Sequence, residues 1–476
     1  MGIRFGRAAV AGALILAGGC AGVPIESGRT QVVELVQARA DSATSKSVAA
    51  SAPTVNAVQT RLPAEGEQRV HDWLDEPLQV STAVQIALLR NPELQQQFAR
   101  LGISAADVFD VSRLSNPGLA LAVLLPQGSA TGNKWSAGAT LGFRDLLLRH
   151  ARTGMAKSAY RRTEELVAAA ILNLGIEVQQ AWFDCVGATQ RAAVRQTIDE
   201  AAQSTVELAR RYQHAGNVDQ LTLQLHAAAA SEARIASQRA RGESAEARGR
   251  LQSLMGLSAA ETQWTVPQTL PEPLATETST TNLQSLAMTK RLDLAAARTQ
   301  VSVLEQQLAA TRHYRYLGAS TVGVAGEREA DGTRRIGPSL SLALPLFNQG
   351  QGAVARAIAE LSAAHAAQRQ IELQIGNDVQ RQSDRMQLAR EQAASFREGL
   401  IPQREAVVAR LQEQVNFMLT DTFNLLLAKQ QEYTAYEGYI EAVRSYWSAR
   451  VDLMHAVGAR LPDNEPSETP PQEAQP

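Results

Sequence analysis

Only two of the 476 residues are cysteines, Cys20 and Cys185, so the chain has no disulfide framework and no CxxC pair spaced for zinc. Aromatic residues are only 5%, low for a protein with large compact cores. Neither sign of charge dominates: 46 Lys+Arg stand against 48 Asp+Glu, a net charge of -2. That balance excludes the basic surplus of a nucleic-acid footprint. Beyond the N-terminus no run of 18 apolar residues occurs, so no transmembrane helix is expected. The seven histidines (His71, His150, His214, His226, His313, His365 and His455) form no HExxH and no i, i+4 pair. No GxSxG elbow and no GxxxxGK[ST] loop is present. No enzyme activity, cofactor or metal site is expected, and any energy must come from a partner.

The N-terminus reads as an export signal over residues 1–19. Arg4 and Arg7 supply the positive region, Ala8–Leu16 a short apolar core, and Ala17, Gly18 and Gly19 the small residues before a cut. Leu16-Ala17-Gly18-Gly19-Cys20 is similar to a bacterial lipoprotein box, with Ala17 where leucine is usual, which makes Cys20 the candidate lipidation site. Cys185 is expected to lie in a helix as a small apolar residue. Residues 20–77 read as an extended arm with a short helix near Val32–Ala38 and a linker at Ser42–Val55.

Proline is absent from Gln127 to Val266, and a second long stretch, Gly350 to Leu461, has only Pro402. Helical periodicity runs from Arg144 to about His214. At about 1.5 Å per residue, some 70 residues make a rod of roughly 105 Å, longer than a globular core requires. Ala215-Gly216-Asn217 stops that helix, and Asp219 caps a returning one that ends at Gly256. Before it, Ser81 is the expected cap of a helix broken at Asn91-Pro92. That plan defines a first unit, 78–262, with a β-hairpin at about 118–143 and a long α-hairpin at about 144–256. A linker, 263–281, precedes a second unit, 282–460, with a hairpin at about 319–347 and a long α-hairpin at about 351–458. Phe143 and Phe347, Asp219 and Asp421, and Gly256 and Gly458 correspond at offsets of 202 to 204. The tail 461–476, with five prolines and four acidic residues, reads as disordered.

The short strands alternate large apolar with small or polar residues. Trp135, Ala137, Ala139, Leu141 and Phe143 interleave with Ser136, Gly138, Thr140 and Gly142; Ile336, Pro338, Leu340, Leu342, Leu344 and Leu346 interleave with Gly337, Ser339, Ser341 and Ala343. Thin flanking helices offer such an apolar face no core. A transmembrane barrel wall does, with lipid on one side and a lumen on the other. Four strands cannot close a barrel, and an open edge cannot sit in lipid, so copies must assemble. Three would give 12 strands; two or four are not excluded by the residues.

At this point the chain resembles the TolC-like outer-membrane efflux proteins, and more closely their lipoprotein members. The likeness rests on Cys20, the doubled plan, Leu344-Pro345-Leu346-Phe347-Asn348-Gln349-Gly350, the turn at Ala215-Gly216-Asn217 and Leu254-Met255-Gly256-Leu257, over roughly 78–460. The resemblance implies a mainly α chain with a β-barrel portion, internally duplicated, forming a homotrimer with a 12-stranded barrel in outer-membrane lipid and an α-helical periplasmic tunnel. It implies a passive exit duct docked to a periplasmic adaptor and an inner-membrane pump, in a Gram-negative bacterium. The duct of a type I protein-secretion system is the alternative within the fold, and a lipid-tethered periplasmic scaffold the alternative outside it. The chain departs from the family where the second turn carries Met418 in place of glycine, and where Thr222 and Asn424 stand at positions that are acidic in many relatives.

Gly216, Asp219, Phe417, Met418, Leu419 and Asp421 are therefore the candidate tip residues for adaptor contact. Asp219 and Asp421 also suit helix caps. Trp135, Phe143, Tyr314, Tyr316 and Phe347 are the candidate membrane-interface aromatics. Glu329-Ala330-Asp331-Gly332 reads as a solvated β-turn.

Overall fold

The computed structural model describes residues 27–39, 64–125, 133–274, 280–316, 320–459 and 461. The export signal, Cys20, the Ser42–Val55 linker and the tail beyond 461 lie outside the described residues. The described residues fall into two compact units. One is drawn from segments up to residue 31, 99–164 and 297–365; the other is drawn from 32–98, 165–296 and 366 onward.

Helices α1 (Ser27–Gln37), α2 (Ala64–Leu74), α3 (Val80–Arg90) and α4 (Pro92–Ser112) lead into strands β1 (Gly118–Leu124) and β2 (Lys134–Gly142). Helices α5 (Phe143–His214) and α6 (Gln220–Leu254) follow. The same order of two helices, two strands and a long helical pair recurs as α7 (Thr280–Lys290), α8 (Leu292–Tyr314), β3 (Ser320–Arg328), β4 (Arg334–Leu342), α9 (Gln351–Ala394), α10 (Ile401–Asn416) and α11 (Thr422–Val457). Five details depart from expectation. Helix α2 lies in the stretch read as an extended arm; it buries only Val70 and Leu74, one turn apart, too few for a periodic signal. Helix α3 starts at Val80 after Gln79, so Ser81 is inside it and not its cap. Phe143 opens α5 instead of closing β2. Strand β4 ends at Leu342, before Pro345, which has no N–H to give a ladder. Helix α5 contains one 18-residue window apolar enough to cross a membrane, half of it buried in the chain itself.

In the first unit the four strands form one antiparallel sheet in the order β1-β2-β3-β4, leaving β1 and β4 as its edges. The β3–β4 turn is closed by Gly332 at φ +88° and by Asp331, whose Oδ1 accepts from Thr333 N at 2.8 Å. In the second unit, apolar residues from several helices, among them Leu283, Leu294, Ile375, Val379, Tyr446 and Leu453, form the main core. Leu461, the first residue of the stretch read as a disordered tail, is buried in that core.

Both helix breaks in the second unit are held by a side chain reaching the end of a long helical pair. Pro92 forces Asn91 out of the helical region, to φ -65°, ψ 121°. Asn91 Oδ1 accepts from Glu93 N at 2.8 Å and Leu94 N at 3.2 Å, while its Nδ2 donates to Leu254 O at 2.9 Å. At the second break Arg291 takes over: it chelates Asp293 at 2.9 and 2.6 Å and donates to Ala456 O at 3.3 Å. Gly256 and Gly458, both at positive φ, fit directly against Arg90 and Arg291.

The segment after Gly256, read as a linker, is a fastened strap. Trp264 is buried under the Arg248 guanidinium, 3.8 Å from its ring centre. Thr265 O accepts from Leu78 N at 2.8 Å, Pro271 O from Trp447 Nε1 at 2.7 Å, and Leu274 N donates to Tyr446 Oη at 3.2 Å. Pro402 interrupts the second long stretch as expected, and the backbone answers with a π-helical turn, Ser395–Leu400, in which Ile401 N donates to Phe396 O. That turn seats the Phe396 ring on α11 at Gly438, where a Cβ would lie 2.6 Å from the ring.

Candidate functional site

Two regions carry the functional expectations: the sheet of the first unit and the two turns of the second. In the sheet the register assigns every side chain to a face. Leu119, Leu121 and Val123 pair with Ala139, Ala137 and Trp135, and these continue to Val324, Gly326 and Arg328, then to Pro338, Ile336 and Arg334. Leu141, Val322, Leu340 and Leu342 complete this apolar face. The opposite face carries Ala120, Ala122, Ser136, Gly138, Thr140, Gly323, Ala325, Gly337, Ser339 and Ser341. Exposure is the reverse of a soluble sheet. Leu119 is 73% and Ile336 82% exposed, while Ser136, Gly138 and Thr140 are half-buried. The apolar run from Ile336 to Leu342 spans about 20 Å at roughly 3.4 Å per residue.

On that second face Gly323 is required by space, since a Cβ there would sit 2.2 Å from Ala139 O of the neighbouring strand, whereas at Gly337 it would meet nothing within 4 Å. Of the candidate aromatics, Trp135 lies on the apolar face, Phe143, Tyr316 and Phe347 are exposed, and Tyr314 is half-buried against the His313 ring at 4.6 Å. Phe347 is 96% exposed. Sequence reasoning missed the charged ends of the strands, Lys134, Glu327, Arg328, Arg334 and Arg335. Continuing the alternation back two residues from Ile336 would have placed Arg334 on the apolar face.

In the second unit both turns between long helices are Schellman motifs. At the first, Gly216 has φ +77°, Asn217 N donates to Tyr212 O at 2.9 Å and Gly216 N to Gln213 O at 3.0 Å. At the second, Leu419 N donates to Gln414 O at 2.8 Å and Met418 N to Val415 O at 2.9 Å. Met418 is at φ +56°, the only positive φ outside glycine among the described residues, and is 93% exposed. Phe417 and Leu419 beside it are exposed as well. Phe423, by contrast, folds back between Tyr212 and His226, with ring centres 6.0 and 4.4 Å away.

Both aspartates are caps. Asp219 accepts from Thr222 N at 2.8 Å, and this bonding to Thr222 holds its carboxyl below the ordinary value. Asp421 accepts from Phe423 N at 3.2 Å. Cys185 is buried inside α5, and burial pushes its thiol up to about 11, which leaves it an inert apolar filler. Among the described residues no group of three His, Cys, Asp or Glu is placed to hold a metal.

No family model matches the chain, and no curated protein matches it in sequence. Solved structures do. The Campylobacter jejuni CmeC outer membrane channel aligns with a TM-score of 0.68 at 14% identity, over 87% of this chain and 96% of its own. The chain has the TolC-like fold. A membrane protein from Pseudomonas aeruginosa aligns with a TM-score of 0.66 at 18% identity, covering 86% of this chain and 99% of that one. The outer membrane protein VceC from Vibrio cholerae gives 0.65 at 18% identity, over 80% and 96%. The likeness spans nearly the full length of each of these three chains.

Proposed function

We propose that this chain is one protomer of an outer-membrane exit duct of a tripartite efflux system. Three internally duplicated copies contribute four strands each to a 12-stranded barrel, and their long helices line a tunnel in the periplasm. The duct is passive: it conducts small molecules or metal ions delivered by an inner-membrane pump through a periplasmic adaptor, with Cys20 as lipid anchor. The observation that carries this reading is the inverted sheet, with its large apolar residues outward, its small residues on the other face and two edges left open. Lipid satisfies the outward face, and neighbouring copies satisfy the edges.

The exposed Phe417-Met418-Leu419 turn, with Gly216 at its counterpart, is the natural adaptor contact, because exposed apolar clusters mark partner surfaces. Asp219 and Asp421 would place six carboxylates near the tunnel mouth of a trimer and favour cations there. Met418→Asp should leave the trimer intact and abolish export by the pump encoded with it. Unchanged export would remove the turn from the contact.

The duct itself is tested on the full chain extracted from membranes. We expect a trimer that needs detergent, changes gel mobility on heating and conducts ions in a planar bilayer. A Cys20→Ala variant that is soluble, elongated and monomeric would instead establish the scaffold alternative.

A further inference from the structure

The end of the sheet beside the β3–β4 turn carries charge on both faces, and the two faces treat it differently. On the small-residue face the charges are compensated. Lys134 Nζ lies 3.2 Å from both Glu327 and Glu329, and Arg335 stands across the ladder from Glu327. On the apolar face Arg328 and Arg334 are directly opposite each other, and Trp135 is opposite Arg328 on its other side. Neither guanidinium has an ion pair or hydrogen bond among the described residues, and both residues are exposed. Like charges paired across a ladder are destabilising, so this pair calls for an anion from outside the chain.

The rest of that face says where the anion comes from. The residues next to the two arginines on it are Gly326 and Ile336, and from there the apolar band continues without charge to Val322 and Leu342. The guanidiniums therefore sit where an apolar surface ends, beside an indole, which favours the boundary between hydrocarbon and headgroups. Guanidinium matches phosphate with two parallel hydrogen bonds.

We propose that Arg328 and Arg334, with Trp135, form a binding surface for the phosphate of anionic lipid headgroups at the rim of the barrel. The inference rests on the reading of the apolar face as the lipid face. Each protomer supplies one such surface, and bound lipid offsets the arginine pair that the chain leaves uncompensated.

The test uses the full-chain trimer in bilayers of phosphatidylcholine with and without phosphatidylglycerol, with retained lipid counted by native mass spectrometry. Wild type should retain phosphatidylglycerol in preference to phosphatidylcholine. With about 1 kcal/mol per arginine at a lipid surface, Arg328→Gln with Arg334→Gln should weaken that retention roughly 30-fold. The lysine pair, Arg328→Lys with Arg334→Lys, should restore much of it, and Lys134→Gln with Arg335→Gln, on the other face, should leave it unchanged.

A trimer that embeds normally but shows no preference for phosphatidylglycerol overturns this proposal alone, as does equal retention by the glutamine pair. Inorganic phosphate that displaces the lipid fully would make this a free-phosphate site and overturn the lipid assignment. If the glutamine pair fails to assemble, the wild-type preference and the lysine pair decide. A chain that never enters lipid removes the inference together with the duct.

Discussion

At the first turn between long helices the left-handed position is held by Gly216 at φ +77°; at the second it is held by Met418 at φ +56°. The hydrogen bonds around the two are the same Schellman pair. One backbone solution thus serves both halves, but only one half uses the residue that adopts it without strain. For a side chain with a Cβ that conformation costs about 1–2 kcal/mol. Local strain kept at a fully exposed position has no packing to justify it, which points to the side chain itself as the reason. The helix breaks repeat the lesson. Asn91 and Arg291 reach equivalent carbonyls, Leu254 O and Ala456 O, with different chemistry.

The largest expected effect separates the two C-terminal glycines. At Gly256 an added Cβ would lie 2.6 Å from Arg90 O and 2.8 Å from Arg90 C, both backbone, whereas at Gly458 the nearest backbone atom, Arg291 Cα, is 3.0 Å away, with Arg291 Cγ at 2.8 Å. Gly256→Ala should cost about 3–4 kcal/mol and Gly458→Ala about 1–3 kcal/mol, combining positive φ with the clash. Thermal melting of the detergent-solubilised protein followed by circular dichroism reads both. Equal losses would mean that the two sites yield alike.

A smaller effect compares the turns directly. Met418→Gly should stabilise by about 1 kcal/mol and Gly216→Met should destabilise by about as much. The same Met418→Gly protein should lose export while gaining stability. If it exports normally, the methionine is tolerated strain and not a contact.

The smallest effect is on acid sensitivity at the two breaks. Burial pushes Glu261 and Asp293 up, but Arg90 together with Ser258 at the first, and Arg291 together with backbone N–H groups at the second, outweigh it in sum and hold both below their ordinary values of 4.5 and 3.8. Each therefore adds stability that is fully present above its ordinary value and is lost as the pH falls through its lowered folded value. Melting temperatures taken between pH 6 and about pH 3 should fall less steeply in Arg90→Gln and Arg291→Gln than in wild type. Parallel curves would show that the pairs are indifferent to protonation.

Much of this was legible in the sequence because the signals were local. The long helices, the first turn, the stop at Asn91-Pro92 and the alternation of the strands follow from period, glycine and proline, and the second turn, which has neither residue, from the repeat that matches Asp421 to Asp219. What was illegible depended on distant partners. The strap after Gly256 looks like a linker because its anchors Leu78, Tyr446 and Trp447 are far away in sequence. Nothing near Arg291 in sequence says that Ala456 O needs a donor. The tip residues are exposed, yet the strain at Met418 is a backbone property that composition does not encode. The charged strand ends were overlooked because attention to apolar alternation stopped where the apolar residues did.

The Phe396 seat gives the second long hairpin a mechanical reference point. The π turn widens the helix by a residue, so Ile375 to Ala393 and the residues after Ile401 are out of phase by roughly 100° of helical screw. A ring fitted where Gly438 has no side chain acts as a detent between the two arms. Ala393, Ala442 and Val443, packed around it with Leu270 and Tyr439, keep it engaged. Axial sliding of α10 along α11 must lift the ring over backbone and break the bonds from Arg404 to Gln431 and from Tyr436 to Glu405. The hairpin is therefore braced against a change of length at this point.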